Sequence, residues 1–195
     1  MPKKALSGFD FLGYDLSNAD HCQQFHHHLI RELGSGRSVK DVLHFPEALM
    51  ESLYSCAHAR YNNKKPSEGA SIFNLLVFLG PQSYRYLFGL GVCLAATGDH
   101  QEAINQFVEA AKVDKKNPNP AYYAAESLVK MNQGSKAIFA LDEAIKLAGK
   151  NLEIYNTVRT RAIALRATLI GAGLEAYKWR SRRVDDSAAV LAKKA

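Results

Sequence analysis

Apolar residues recur three and four apart in one segment of this chain after another, the spacing of helices that each bury one face. Cys22, Phe25, Leu29 and Leu33 share such a face, and Ser17 followed by Asp20 supplies a capping box ahead of it. Gly34-Ser35-Gly36 stops this first helix. Ser38 and Asp41 make a second capping pair before a short helix through Val39, Val42 and Leu43, and Pro46 suits the first turn of the next helix. Beyond it the pattern predicts three helical hairpins: 47–62 with 68–79, 83–97 with 100–113, and 119–132 with 135–148. A final helix, about 151–170, sets Leu152, Tyr155, Val158, Ala162, Leu165 and Leu169 along one side. Residues 1–16 hold Gly8, Gly13 and scattered aromatics without a helical period, which reads as a flexible arm.

The hairpins repeat one another. Gly91, Ala103, Phe107 and Ala110 are answered 34 residues later by Ala125, Ala137, Leu141 and Ala144, the period and small-residue pattern of tetratricopeptide repeats. A small side chain at the first two positions lets the paired helices approach where they cross. Leu53, Tyr54, Ala57 and Tyr61, with Ala70 and Phe73, form an earlier copy, its helices about one residue further apart because Asn62 to Pro66 lengthens the turn. No such unit buries its apolar face alone. The expected fold is therefore all-α: three tetratricopeptide-like hairpins in a right-handed superhelical stack, with N-terminal helices before them and a C-terminal helix capping the end. The expected divisions are a flexible arm over 1–16, a helical dimerisation region over 17–46, the repeat domain with its capping helix over 47–170, and a basic tail over 171–195. Phe25, Leu29 and Leu33 form a stripe the hairpins do not need as core, so it predicts a homodimer interface.

Composition narrows the function. A chain of 195 residues, 47% hydrophobic, can bury a sizeable core. Its longest apolar runs, such as Ile72 to Leu79, are interrupted by Asn74 and too short to cross a bilayer. Met1-Pro2-Lys3-Lys4 leads into no hydrophobic signal region, so a cytoplasmic location is expected. Much of the net charge of +6 lies in the tail, where Lys178, Arg180, Arg182, Arg183, Lys193 and Lys194 outnumber Asp185 and Asp186; no aromatic-interleaved motif accompanies it, and it reads as a solvated face rather than a nucleic-acid site. Cys56 and Cys93 fall beside the small repeat positions and are expected to be buried, reduced thiols. His21, Cys22, His26, His27 and His28 cluster, but a closed tetrahedral site needs a second ligand pair that is not evident, so no metal is expected. With no nucleophile elbow, phosphate-binding loop or paired catalytic carboxylates, neither an enzyme nor a cofactor is expected.

What remains is the inner surface of the stack. The first helix of each pair lines it, which brings forward Tyr54, His58 and Tyr61 in the first copy, Arg85, Phe88, Val92 and Ala95 in the second, and Tyr122, Glu126 and Val129 in the third. Tyr54, Tyr61, Phe88 and Tyr122 are the expected client rings, with Val92 and Ala95 as the floor between them. An aromatic and aliphatic groove with few charges suits an extended, partly apolar peptide.

The segments Leu53-Tyr54-Ser55-Cys56-Ala57, Phe88-Gly89-Leu90-Gly91-Val92-Cys93, Gly98-Asp99-His100-Gln101-Glu102-Ala103-Ile104 and Tyr123-Ala124-Ala125-Glu126-Ser127-Leu128 resemble the class II chaperones of bacterial type III secretion, the SycD/LcrH family, over about residues 20–165. That resemblance implies an all-helical chaperone of the bacterial cytoplasm. It would hold hydrophobic translocator proteins before export, taking an extended segment with spaced proline and leucine anchors in its groove. It also implies groove roles for Tyr54 and Tyr61, whereas His58 departs from the phenyl ring usual there. The tail after Gly171 has no counterpart of firm role. The alternative is a generic repeat scaffold or regulator that binds another peptide. A carboxylate clamp would need Lys and Asn where Tyr54 and His58 stand, and a basic residue in place of Phe88.

Overall fold

The computed structural model describes residues 10–192 apart from 16 and 150, and side chains within that range except at 10, 11, 152 and 174–192. Most of the expected arm, 1–9, lies outside the described residues. The chain divides into two compact units, the first ending at Tyr86 and the second beginning at Leu87.

The first unit opens with a small antiparallel hairpin, β1 (Asp10–Phe11) and β2 (Tyr14–Asp15), pairing Asp10 with Asp15 and Phe11 with Tyr14. Helix α1 (Ala19–Gly34) follows. Its cap is Asn18 rather than Ser17: the Asn18 side-chain oxygen accepts from the backbone N–H groups of Asp20 and His21 at 2.8 and 3.3 Å. Helix α2 (Val39–Val42) starts from Ser38, whose hydroxyl accepts from the Asp41 N–H as the sequence predicts. Helices α3 (Glu47–Asn62) and α4 (Pro66–Leu79) form the first repeat hairpin, burying Met50, Ala57, Phe73, Leu76 and Leu79.

The turn between α3 and α4 corrects the sequence reading. It is not lengthened: Lys64 takes a left-handed conformation at φ +60°, as Gly98 and Asn132 do at +95° and +59°. These three residues stand 34 apart, so each hairpin closes with a left-handed residue at one repeat position. Pro66 then opens α4, where its missing N–H costs no hydrogen bond. The small residue at the crossing is Gly69 rather than Ala70, which puts it in step with Ala103 and Ala137, all three buried.

Helix α5 (Tyr84–Thr97) carries the division between the units, after Tyr86. In the second unit α5 packs on α6 (His100–Val113), and α7 (Asn119–Lys130) pairs with α8 (Gly134–Ala148). A Cβ on Gly91 would meet the Phe107 ring at 2.6 Å, so the approach of α5 to α6 requires glycine there. Ala125, Ala137, Leu141, Ala144 and Ala162 form a second cluster, covered by Val158, Leu165 and Leu169. The last three and Ala162 lie on α9 (Leu152–Ala192), which packs on α8 as the expected capping helix. Where the sequence reading ends that helix near residue 170, the backbone continues helical to Ala192.

Two glycine substitutions separate packing from backbone strain. Gly91→Ala should lose about 1 to 3 kcal/mol through overpacking, and pairing it with Phe107→Leu should cost less than the sum of the two single changes. Gly98→Ala meets no neighbour within 4 Å, so its loss, about 1 kcal/mol, comes from the left-handed conformation alone and is not relieved by Phe107→Leu. Urea denaturation of the five variants, the two doubles with Phe107→Leu included, checks both.

Candidate functional site

In the first unit the candidate residues gather on Tyr54. Its ring meets Phe73 edge-on at 5.8 Å, Tyr86 at 6.2 Å and His58 at 6.3 Å between centroids. The Arg85 guanidinium lies 4.0 Å over the ring centre and makes a two-pronged ion pair with Glu51, at 2.7 and 3.2 Å. The Glu51 carboxylate first, and the Tyr54 hydroxyl after it, hold the Arg85 proton more firmly than usual. Glu51 and Arg85 stand 34 residues apart, at one repeat position in consecutive copies, so the sequence contains the signal for their pairing. His58 is exposed, and its Nδ1 lies 3.0 Å from the Asn62 side-chain nitrogen. Tyr61 is 37% exposed, one turn further along α3.

In the second unit Phe88 packs at 5.7 Å on Phe107 and edge-on to Tyr123 at 5.3 Å. Val92 and Ala95, one and two turns further along α5, pack on the same cluster with Ala103 and Ala124. Phe88, Val92 and Ala95 are half-buried, so each keeps some surface for a ligand. Tyr123 is the ring that repeat logic misses, because its counterpart 34 residues earlier is Gly89.

Tyr122 departs from expectation. It is only 6% exposed and belongs to the core cluster with Ala125, Leu141 and Ala162. A buried phenol needs a partner, and Tyr122 finds one by donating at 2.6 Å to Glu126, one turn on. Burial first, and then the Glu126 carboxylate, push the Tyr122 hydroxyl far above the usual tyrosine range. Tyr122 is thus a core ring that orients Glu126, and Glu126 is the half-buried member of the pair.

The N-terminal stripe is partly covered within its own unit. Phe25 packs under Tyr14 at 5.5 Å and is half-buried with Leu29, while Leu33 is 41% exposed beside the more exposed Ile30. The histidines nearby enter hydrogen bonds. His21 Nδ1 accepts from the Asp15 N–H at 3.1 Å, and His28 Nδ1 lies 3.2 Å from the Arg31 guanidinium. Among the described residues no group of three His, Cys, Asp or Glu side chains is placed to hold a metal ion, and no helix is long and apolar enough to cross a membrane.

Two tetratricopeptide-repeat family models match the chain, over residues 55–120 and 94–162. The low calcium response locus protein H of Yersinia pestis is 29% identical over 116 residues, covering 60% of this chain and 68% of that protein. The Yersinia enterocolitica type III secretion translocator chaperone SycD, solved as an alternative dimer, aligns with a TM-score of 0.61 at 28% identity, over 64% of this chain and 93% of that one. SycD in complex with a peptide of the translocator YopD aligns with a TM-score of 0.62 at 27% identity, over 66% of this chain and 96% of that one.

The cysteines correct the sequence reading in part. Cys93 is buried but Cys56 is exposed, as Cys22 is. Cys56 lies in the first repeat, where no earlier hairpin covers its side of the helix; its counterpart in the next copy, Leu90, is buried. Burial pushes the Cys93 thiol up to about 11. At pH 8, iodoacetamide should therefore label Cys22 and Cys56 in the native protein and reach Cys93 only on unfolding. Because the folded thiol is the weaker acid, its contribution to stability is full below the ordinary thiol value of 9.0 and is lost as pH rises towards about 11. Mass spectrometry of labelled protein and melts across that range check the two statements.

Proposed function

Because this chain belongs to the SycD/LcrH family of tetratricopeptide chaperones of type III secretion, we propose that it binds an extended segment of a hydrophobic secreted translocator along the first helices of its hairpins and keeps that client soluble and competent for export. The contacts we assign are Tyr54, His58, Tyr61 and Arg85 in the first unit and Phe88, Val92, Ala95 and Glu126 in the second. The half-buried rings and aliphatic side chains of α3 and α5 carry this reading: they are held by their own neighbours yet keep free apolar surface. In this reading Tyr122 serves the site through Glu126. The chain acts by binding and not by catalysis, in the bacterial cytoplasm, and self-associates through the α1 stripe of Phe25, Leu29 and Leu33, whose exposed end is Leu33 beside Ile30.

The affinity follows from the surface. Burying a leucine-sized anchor contributes about 2 kcal/mol, so three anchors supply about 6 kcal/mol, from which ordering of the extended client must be subtracted. Binding of that strength delays collapse of an aggregation-prone chain and yields when an export machine pulls on it. Arg85 is engaged by Glu51 and Glu126 by Tyr122, so the assigned residues offer little free charge and favour an apolar client over a charged peptide end.

Tyr61→Ala and Val92→Ala test the assignment with little risk to folding, since Tyr61 is exposed and Val92 half-buried. Truncating a binding aromatic commonly costs about 2 kcal/mol, so fluorescence anisotropy with a translocator-derived peptide should show Kd rising about thirtyfold for Tyr61→Ala, with the parent's melting transition retained. Parental affinity in both variants overturns the site.

A further inference from the structure

A cavity of about 530 Å³ opens in the first unit where the α1–α2 turn, α2, α3 and the α4–α5 turn meet, a volume within the range of ligand pockets. Glu51 and Arg85 stand in its wall. They are also the pair that covers Tyr54, so the cavity adjoins that end of the proposed client surface. Its charges are balanced and already engaged: Lys40 bonds Glu47 at 3.2 Å, Arg85 bonds Glu51 at 2.7 and 3.2 Å, Arg37 bonds Glu32 at 2.8 Å, and the Asp41 carboxylate accepts from Ser38. Tyr86 is the exception in this lining. It is 4% exposed, its ring packs on Tyr54 at 6.2 Å, and among the described residues its hydroxyl has no hydrogen-bond partner. Tyr122, buried to a similar degree, has Glu126 to donate to. Burial first, and the Glu47 carboxylate after it, hold the Tyr86 proton more firmly than usual; Lys40, Glu51 and Arg85 also act on the hydroxyl, which sets it between the two ion pairs as a donor.

We infer that this cavity is a carboxamide subsite, which takes an asparagine or glutamine side chain of the same extended client beside the residue seated at Tyr54. It rests on the client reading above and adds a polar determinant to it. A carboxamide carries an acceptor oxygen and two N–H donors. The oxygen accepts from the Tyr86 hydroxyl. The N–H groups donate to Glu47 and Glu51, because a carboxylate has about four acceptor sites, of which Lys40 uses one on Glu47 and Arg85 two on Glu51. Other side chains fit less well. A further cation is repelled by Lys40 and Arg85, and a further anion by Glu47 and Glu51. An apolar side chain strips water from the Tyr86 hydroxyl and from both ion pairs without replacing its hydrogen bonds. A neutral group that both donates and accepts avoids all three costs.

The probe is a translocator-derived peptide scanned with glutamine, one position at a time, outside its apolar anchors, with binding to the full chain read by fluorescence anisotropy. At one position glutamine should lower Kd about fivefold relative to alanine, the effect of one satisfied hydrogen bond, and glutamate or lysine at that position should not. Tyr86→Phe removes the hydroxyl alone. It should abolish the glutamine gain while binding the alanine peptide, and melting, as the parent does. A scan with no position of gain, a gain that survives in Tyr86→Phe, or an equal gain from glutamate or lysine overturns the subsite. Tyr61→Ala and Val92→Ala keep the two readings apart, since each should weaken every peptide of the scan alike. Parental affinity in both overturns the client site, whereas weakened binding in both without a Tyr86-dependent gain overturns the subsite alone.

Discussion

How closely two helices approach where they cross governs this fold. At Gly91 there is no room for a single added carbon, because the Phe107 ring already occupies it. That ring can sit against the α5 backbone only if its neighbours one turn away on the same face of α6 are small, which is the role of Ala103 and Ala110, both buried. The same trio of small, aromatic or branched, and small recurs as Ala137, Leu141 and Ala144 in the next copy. Interiors are packed to crystal-like density, so the helix separation fixed by these few atoms sets where every outward side chain of the hairpin stands.

The site inherits this rigidity. Phe88 leans on Phe107, so the residue that sets the helix spacing also supports a ring of the proposed client surface. In the first unit Phe73, the counterpart of Phe107, supports Tyr54 in the same way. Binding rings mounted on core rings do not have to be ordered when a ligand arrives, and the entropy of immobilising them is met during folding instead.

The hairpins were legible because their signal is repeated: Gly91 and Ala125, Phe107 and Leu141 confirm one another at a fixed spacing. The first hairpin was legible only in outline. Gly69 and Ala70 are adjacent small residues that satisfy the pattern about equally, and a lysine gives no local sign that it will adopt a left-handed turn as Lys64 does. Exposure was the other blind point. Repeat equivalence treats Cys56 like Leu90 and Tyr122 like Phe88, but burial depends on what lies beyond the hairpin. Cys56 has no repeat before it, whereas Tyr122 has α8 and α9 packed against its cluster. The extension of α9 to Ala192 was missed for a different reason: Gly171 and Gly173 lower helix propensity just past Leu169 and Ile170, yet the backbone stays helical through both.

The Arg85 guanidinium stacked on Tyr54 leaves that ring with one face already taken. The π face that would attract a cation is thereby occupied, and the ring meets a visitor at its rim, where the quadrupole is positive. A rim of that polarity meets carbonyl oxygens favourably. The ring is therefore better suited to reading the backbone of an extended chain, lying edge-on beside its carbonyls, than to discriminating among its side chains.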